Sequence, residues 1–331
     1  MNIVDKHNWL QILQGWAILW VVIGNTYLDP VEMGPEWVTI LLRTAYSFHL
    51  PLLMFVFGCI FYNTFLLSDD NAQQSKVIFN RYLMALAIPF AIFTVVAIVA
   101  KAVLSNTAYS YDMLMSDVIR GFLFPGKYPI SPLWFVMVLM WLYVMQRIWV
   151  YIFQKEWLIW TLAVVLLGLH LIIIPMEFLC IKWLGYFAVY FYLGLMIMKY
   201  GILNKLSGMM GLYVFVGGYL LYMLGADVDK TLTEVGGIVF SIGVVLILSN
   251  TFPKTFSSFR DYYFQILLMG YFAQMLFRII YPYLPIPYFL GYLVCLAVGI
   301  YIPVLITRLI HTINAIELQV CIGESQMATS A

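Results

Sequence analysis

Ten apolar runs, each close to the length of a bilayer crossing, dominate this 331-residue chain. Their limits are 9–28, 45–67, 82–104, 131–153, 157–174, 180–199, 208–225, 232–250, 262–281 and 287–307. A hydrocarbon core of about 30 Å needs about 20 apolar residues in a helix. Inside lipid every backbone N–H and C=O must find its partner within the protein, so runs this apolar are expected to be helices. The expected fold class is all-α: a polytopic membrane protein with about ten transmembrane helices in one bundle, a single domain over 1–331.

Composition narrows the function classes. Hydrophobic residues make up 64% of the chain and charged residues 10%, where an ordinary soluble domain carries roughly 25% charged. Such a chain cannot cover a soluble core with polar surface, which sets aside a soluble enzyme, a disordered protein and a secreted disulfide scaffold. A net charge of +1 leaves no basic surface for nucleic acid. The 10 Trp and 24 Tyr suit the two membrane interfaces. Cys59, Cys180, Cys295 and Cys321 show no metal-ligand spacing and read as buried free thiols. The first run is too long for a cleavable signal and ends in Asn25-Thr26-Tyr27-Leu28-Asp29-Pro30, so it reads as a retained span. Of the 17 Lys and Arg, ten fall on the side of the N-terminus, which places both termini in the cytoplasm by the positive-inside rule. The longest loop, about 105–130, then lies outside, and its apolar part, 118–124, is expected on the membrane surface. The two halves show no repeat, which disfavours an inverted-repeat transporter.

Polar groups at membrane depth are costly and therefore mark candidate sites. In the first run Gln11 and Gln14 share a face, and Gln14 and Asn25, eleven residues apart, point the same way about 16 Å apart along the axis. Gly15 and Gly24 beside them admit a close neighbour. Helix-to-helix hydrogen bonding is the plainer reading of these amides. His49 opens the second run near the end of the first, where an imidazole can exchange a proton near neutral pH or simply bond a carbonyl. His170, alone on an aliphatic face, reads as structural, and His7 and His311 are juxtamembrane. Arg81, with Lys76 and Asn80, starts the third run and can hold a phosphate or act as an interfacial anchor. Trp134 reads as an interface aromatic, and Gln265 and Gln274 as glue or lining in the ninth run. No GxSxG, HExxH, Walker loop or intramembrane carboxylate string is present, which argues against a hydrolase of those types and against a proton-coupled pump.

Four stretches, in order, resemble the acyltransferase 3 family of integral-membrane acyltransferases, in its fucose 4-O-acetylase-like branch. They are Trp9–Asn25, similar to the family's opening helix; Phe48-His49-Leu50-Pro51 through Gly58, similar to FHxPLFFFxSG; Arg81 through Pro89-Phe90, similar to its third helix; and Pro132-Leu133-Trp134-Phe135, similar to its LWFL segment. The family's opening helix carries a basic residue and then a His where this chain has Gln14 and Asn25, and Phe57 replaces the Ser of the SG pair. The resemblance implies transfer of an acyl group, acetyl by expectation, from acyl-CoA to a hydroxyl of a cell-surface or envelope glycan in a bacterial inner membrane. Acetyl-CoA would be a cosubstrate, not a resident cofactor, and no metal is implied. On that reading Arg81 holds the CoA phosphates, Gln14 and Asn25 donate hydrogen bonds to thioester or acceptor, and His49 is the remaining candidate base. The replacements at 14 and 25 equally fit a catalytically degenerate relative that binds or exports a glycan.

Overall fold

The computed structural model describes residues 8–28, 34–66, 72–104, 115–125, 133–172, 174–203, 206 and 208–312. The described chain is helical, with no strand. In order the helices are α1 (Asn8–Gly24), α2 (Glu36–Phe61, continued by a π-helical stretch Tyr62–Leu66), α3 (Ala72–Leu104), α4 (Met115–Leu123), α5 (Leu133–Val144), α6 (Gln146–Phe153), α7 (Glu156–Leu171), α8 (Ile181–Tyr200), α9 (Gly208–Val228), α10 (Lys230–Thr251), α11 (Tyr263–Ile280) and α12 (Tyr288–Thr312).

Each of the ten apolar runs falls on helix, but the spans number fewer than ten by length. Among the described residues six helices are long and apolar enough to cross a membrane: Glu36–Leu66, Asn80–Val99, Phe178–Tyr200, Lys230–Thr251, Arg260–Tyr283 and Tyr288–Ile310. A seventh arises if α5 and α6, bent by 52°, count as one. These helices suit a lipid bilayer. The apolar helices Asn8–Gly24, Glu156–Leu171 and Met210–Ala226 are shorter.

The reasons are local. α1, at 17 residues, is about 25 Å long. It stops at Gly24 because the next two side chains turn back: Asn25 Nδ2 donates to the Val21 carbonyl at 3.0 Å and Thr26 Oγ1 to the Val22 carbonyl at 2.7 Å. α2 begins at Glu36, well before the expected 45, behind Pro35 and with an acid in its first turn. The α5–α6 bend at Met145 has no proline. There the Trp149 indole N–H donates to the Leu142 carbonyl at 2.8 Å, a side-chain bond inserted beside the break in the helix. Of the long loop only α4 and the two residues after it are described; the rest, with Lys127 and Tyr128, lies outside the described residues, as do Pro132, His7 and Cys321 and the side chains of Lys76 and His311.

The chain forms two compact units, one of residues up to Thr64 with Tyr190–Leu309, the other of Phe65–Val189. In the first, α1 is central: α2, α10, α11 and the turn before α11 pack around it, and none of its residues is exposed. Lipid tails are as apolar as Leu, so burial alone does not drive helices together there; close packing and hydrogen bonds do. Glycines supply the close packing. α9 and α10 form an antiparallel hairpin in which Gly211, Gly218 and Gly225 of α9 lie against Leu246, Phe240 and Thr233 of α10, and Gly236 and Gly243 of α10 against Tyr222 and Phe215 of α9. A Cβ on Gly218 would strike the Phe240 backbone, and one on Gly236 the Tyr222 backbone. Asp229 caps α10, accepting from the Thr231 N–H at 2.7 Å. α2 crosses α8 at Gly58 and Gly194, where added side chains would meet the Phe191 and Phe55 carbonyls. α11 crosses α12 at Gly270 and Gly299.

The second unit packs α3 against α5 and α4. Trp141 Nε1 donates to the Leu179 carbonyl at 3.0 Å across a turn in which Leu179 and Cys180 have φ of 48° and 61°. Such left-handed non-glycine residues cost of order 1–3 kcal/mol each. Trp134, read from sequence as an interface aromatic, packs against Trp183 and Phe187, at 5.1 and 5.6 Å between rings. His170 is held structurally: Nδ1 donates to the Tyr186 carbonyl at 2.8 Å, and its ring lies 4.3 Å from that of Tyr186. Cys59, Cys180 and Cys295 are buried thiols outside any disulfide among the described residues.

Candidate functional site

At the C-terminal end of α1 four polar side chains of the first unit, those of Asn25, Thr26, His49 and Gln274, lie close to the helix terminus. Asn25 ends the helix half-buried, one amide N–H committed to Val21. His49 reaches it from α2. Its side chain is 4% exposed, and Nδ1 lies 2.6 Å from the Ala45 carbonyl, one turn back. A carbonyl only accepts, so Nδ1 carries the proton and Nε2 is the lone-pair nitrogen of the neutral ring. The Cε1–Nε2 edge faces α1 at Gly24, 3.7 Å from where a Cβ would stand. The absence of a side chain at 24 thus lets the basic nitrogen pack close to the end of α1, next to Asn25 in sequence. No hydrogen bond to Nε2 occurs among the described residues. The Tyr46 ring stands edge-on to His49 at 5.2 Å.

Gln274 closes the other side. It lies over Gly299 of α12 and donates through Nε2 to Thr26 Oγ1 at 2.7 Å and to the Val22 carbonyl at 3.2 Å. That is the gluing role open to it from sequence. One turn on, Arg278 stacks on Tyr27, its guanidinium carbon 4.0 Å from the ring centre.

Gln14 sits three turns away from Asn25 along α1. It is 5% exposed and makes no side-chain hydrogen bond among the described residues. Next to it, Gly15 is covered by the turn before α11. Phe256, at φ 60°, lies over Gly15 and beside Trp16, and Arg260 reaches from the same turn to Asn8 Oδ1 at 3.4 Å and to the Pro253 and Thr255 carbonyls. Between the two ends, Trp16 and Trp20 stack edge-to-face at 5.7 Å, and both indole N–H groups are buried without an acceptor. Each orphaned donor costs about 1–3 kcal/mol unless a ligand or water takes it.

So the structure brings His49 to the Gly24–Asn25 end, and leaves Gln14 at the other end of the same helix. Arg81 belongs to the second unit, on α3, where it is exposed. Three groups of the first unit are not candidates from sequence. Glu234 is 2% exposed; it accepts from the Tyr190 hydroxyl and lies 3.6 Å from Lys230 Nζ. The Lys230/Glu234 spacing is the available signal, yet it reads equally as a solvated helix start. Arg260 and Arg278 stand out in the sequence only as loop-side charges. No protein-family model, curated protein or solved structure matches this chain.

Proposed function

We propose that the chain is a membrane O-acyltransferase that moves an acyl group, acetyl by expectation, from acyl-CoA to a hydroxyl of an envelope glycan. The reading rests on the resemblance of the four sequence stretches to the acyltransferase 3 family. The observation that supports it most is the His49 imidazole, pinned at Nδ1 with Nε2 turned to Gly24 beside Asn25. Nε2 takes the proton of the acceptor hydroxyl as its oxygen attacks the thioester carbonyl carbon. The tetrahedral oxyanion is met by neutral donors, for which the second N–H of Asn25 is available. Its collapse expels CoA as a thiolate, which recovers the proton from His49. Gln14 serves the donor by hydrogen bonding; a role for Arg81 at the CoA phosphates rests on the family resemblance alone. Part of this reading is a ten-crossing chain in a bacterial inner membrane with both termini cytoplasmic, which counts the three short apolar helices and the bent pair as spans.

The test is donor binding and transfer by the purified protein with acetyl-CoA and mixed envelope glycans. No measurable donor binding ends the reading. With turnover in hand, His49→Gln lowers kcat by about 10²–10⁴ while the melting temperature holds; an unchanged kcat removes His49 from the mechanism.

A second reading, a non-catalytic relative that binds or exports a glycan, is favoured by Gln14 and Asn25 themselves. The Gln14→Arg, Asn25→His double variant separates the two. Activity confined to that variant supports the non-catalytic reading; equal activity in both supports His49 as the working base.

A further inference from the structure

We infer that Arg278 makes the His49 end of the first unit a receptor for an anionic group, a carboxylate or phosphate monoester carried on a hydroxylated sugar. The inference deepens the acyl-transfer reading by naming the acceptor's charge, and depends on that reading only for the chemistry after binding.

Arg278 lies in the last turn of α11. Its guanidinium is held by two kinds of contact, neither of which neutralises it. Its carbon stands 4.0 Å over the Tyr27 ring and 5.4 Å from that of Tyr271. Nε donates to the Gln274 carbonyl at 3.4 Å, one turn back on its own helix. Nη2 is buried and has no acceptor among the described residues. No carboxylate pairs with Arg278 among the described residues. A buried guanidinium N–H without an acceptor is costly, and the fork geometry of arginine matches two oxygens of one carboxylate or phosphate. Stacking on Tyr27 fixes the plane of that fork, so little freedom is lost when an anion arrives.

The position joins this fork to the candidate base. Tyr27 follows Asn25 by two residues. Tyr46 lies within electrostatic reach of both Tyr27 and Arg278, and its ring packs on His49. Arg278, Tyr46 and His49 therefore line one end of the unit in that order. An acidic sugar bound through its anion at Arg278 would bring its neutral hydroxyls to the same end of the unit as His49. Interfacial arginines that only anchor a helix in the headgroup layer extend their fork into water; here Nη2 is turned into protein.

The full-length protein in dodecyl maltoside is titrated, without any acyl donor, with methyl glucuronide, glucose 1-phosphate and neutral methyl glucoside. One or both acids are expected to bind, more weakly as salt rises, and the neutral sugar at least tenfold more weakly. Arg278→Gln should cost about 10- to 100-fold in affinity for the acid and nothing for the neutral sugar. Arg278→Lys, which keeps the charge and loses the fork, should fall between them. Acid affinity unchanged in both variants overturns the inference. So does binding confined to added phosphatidylglycerol, which would make Arg278 a headgroup contact. So does equal, non-additive loss of melting temperature in Arg278→Gln and in Asp29→Asn with Glu32→Gln, which would make a neighbouring acid its partner. Because no donor is present, sugar binding can stand where acyl transfer fails, and the reverse.

Discussion

At the scale of single residues, Gly24 and Gln274 carry the clearest expectations. A methyl at Gly24 would meet the nearest atoms at 3.5 Å, ordinary contact. Gly24→Ala should therefore fold normally and keep most activity. Gly24→Leu drives a larger side chain against Ala45 and the Nε2 edge of His49, so it should cost about 1–3 kcal/mol of stability and lower turnover about tenfold or more through lost positioning of His49. Activity intact in Gly24→Leu would mean that the substrate does not use that face. Gln274→Leu removes the bonds to Thr26 and Val22. Intramembrane side-chain bonds of this kind average about 0.6 kcal/mol and reach about 1.7. A melting-temperature loss of a few degrees is expected, and a larger loss would show that Gln274 organises the end of α1 as well as joining it. His49 is legible in the sequence as a residue type near the start of an apolar run, although α2 itself begins at Glu36 and holds His49 in its middle. Its tautomer is not, because that depends on the Ala45 carbonyl one turn away in three dimensions.

At the scale of elements, the α9–α10 hairpin shows a pattern that can be read only once the partner is known. Gly211, Gly218 and Gly225 recur every seven residues, as do Gly236 and Gly243. In a single helix that spacing marks a stripe; the stripe becomes a contact when a second helix lies backbone-close along it. Neighbouring positions make the test. Gly218 faces the Phe240 backbone, while Gly217 has nothing within 4 Å of an added Cβ. Gly218→Val should destabilise by about 1–3 kcal/mol or more, since backbone cannot step aside. Gly217→Val should leave the detergent melting curve within about 0.5 kcal/mol of wild type. Equal losses would mean that helix propensity, not close approach, governs both. The helix ends divide in the same way. That α1 stops near Asn25 is visible in Asn25-Thr26 and in Pro30 beyond them. That α2 starts as early as Glu36 is hidden, because Glu36 and Arg43 look like loop when charge is used to bound a run. The bend at Met145 has no sequence signal, since it depends on where the Trp149 indole finds an acceptor.

At the scale of the whole molecule, the open quantity is how many helices cross the bilayer. With ten crossings, reporter fusions at residues 1 and 331 both report cytoplasm, and a reporter in the 126–130 segment reports the opposite side. Termini on opposite sides would require an odd number, such as the seven that length alone supports, and would end the proposed orientation. Short helices such as α1 cross only with local thinning of the bilayer or by lying wholly inside protein. The absence of exposed residues on α1 fits the second. The division of the chain into two units, with α8 running from one into the other, leaves no trace in composition, because both units have the same apolar character.

The order of apolar runs, their helicity and their environment were decided by the sequence alone, since in hydrocarbon no other local structure satisfies the backbone. Which polar groups meet was decided by tertiary structure alone. Asn25 and His49 come from the end of α1 and from α2, Gln274 and Arg278 from α11 far along the chain, and their convergence depends on glycine crossings and side-chain bonds. Those terms act only between surfaces already in contact, so no single segment encodes them.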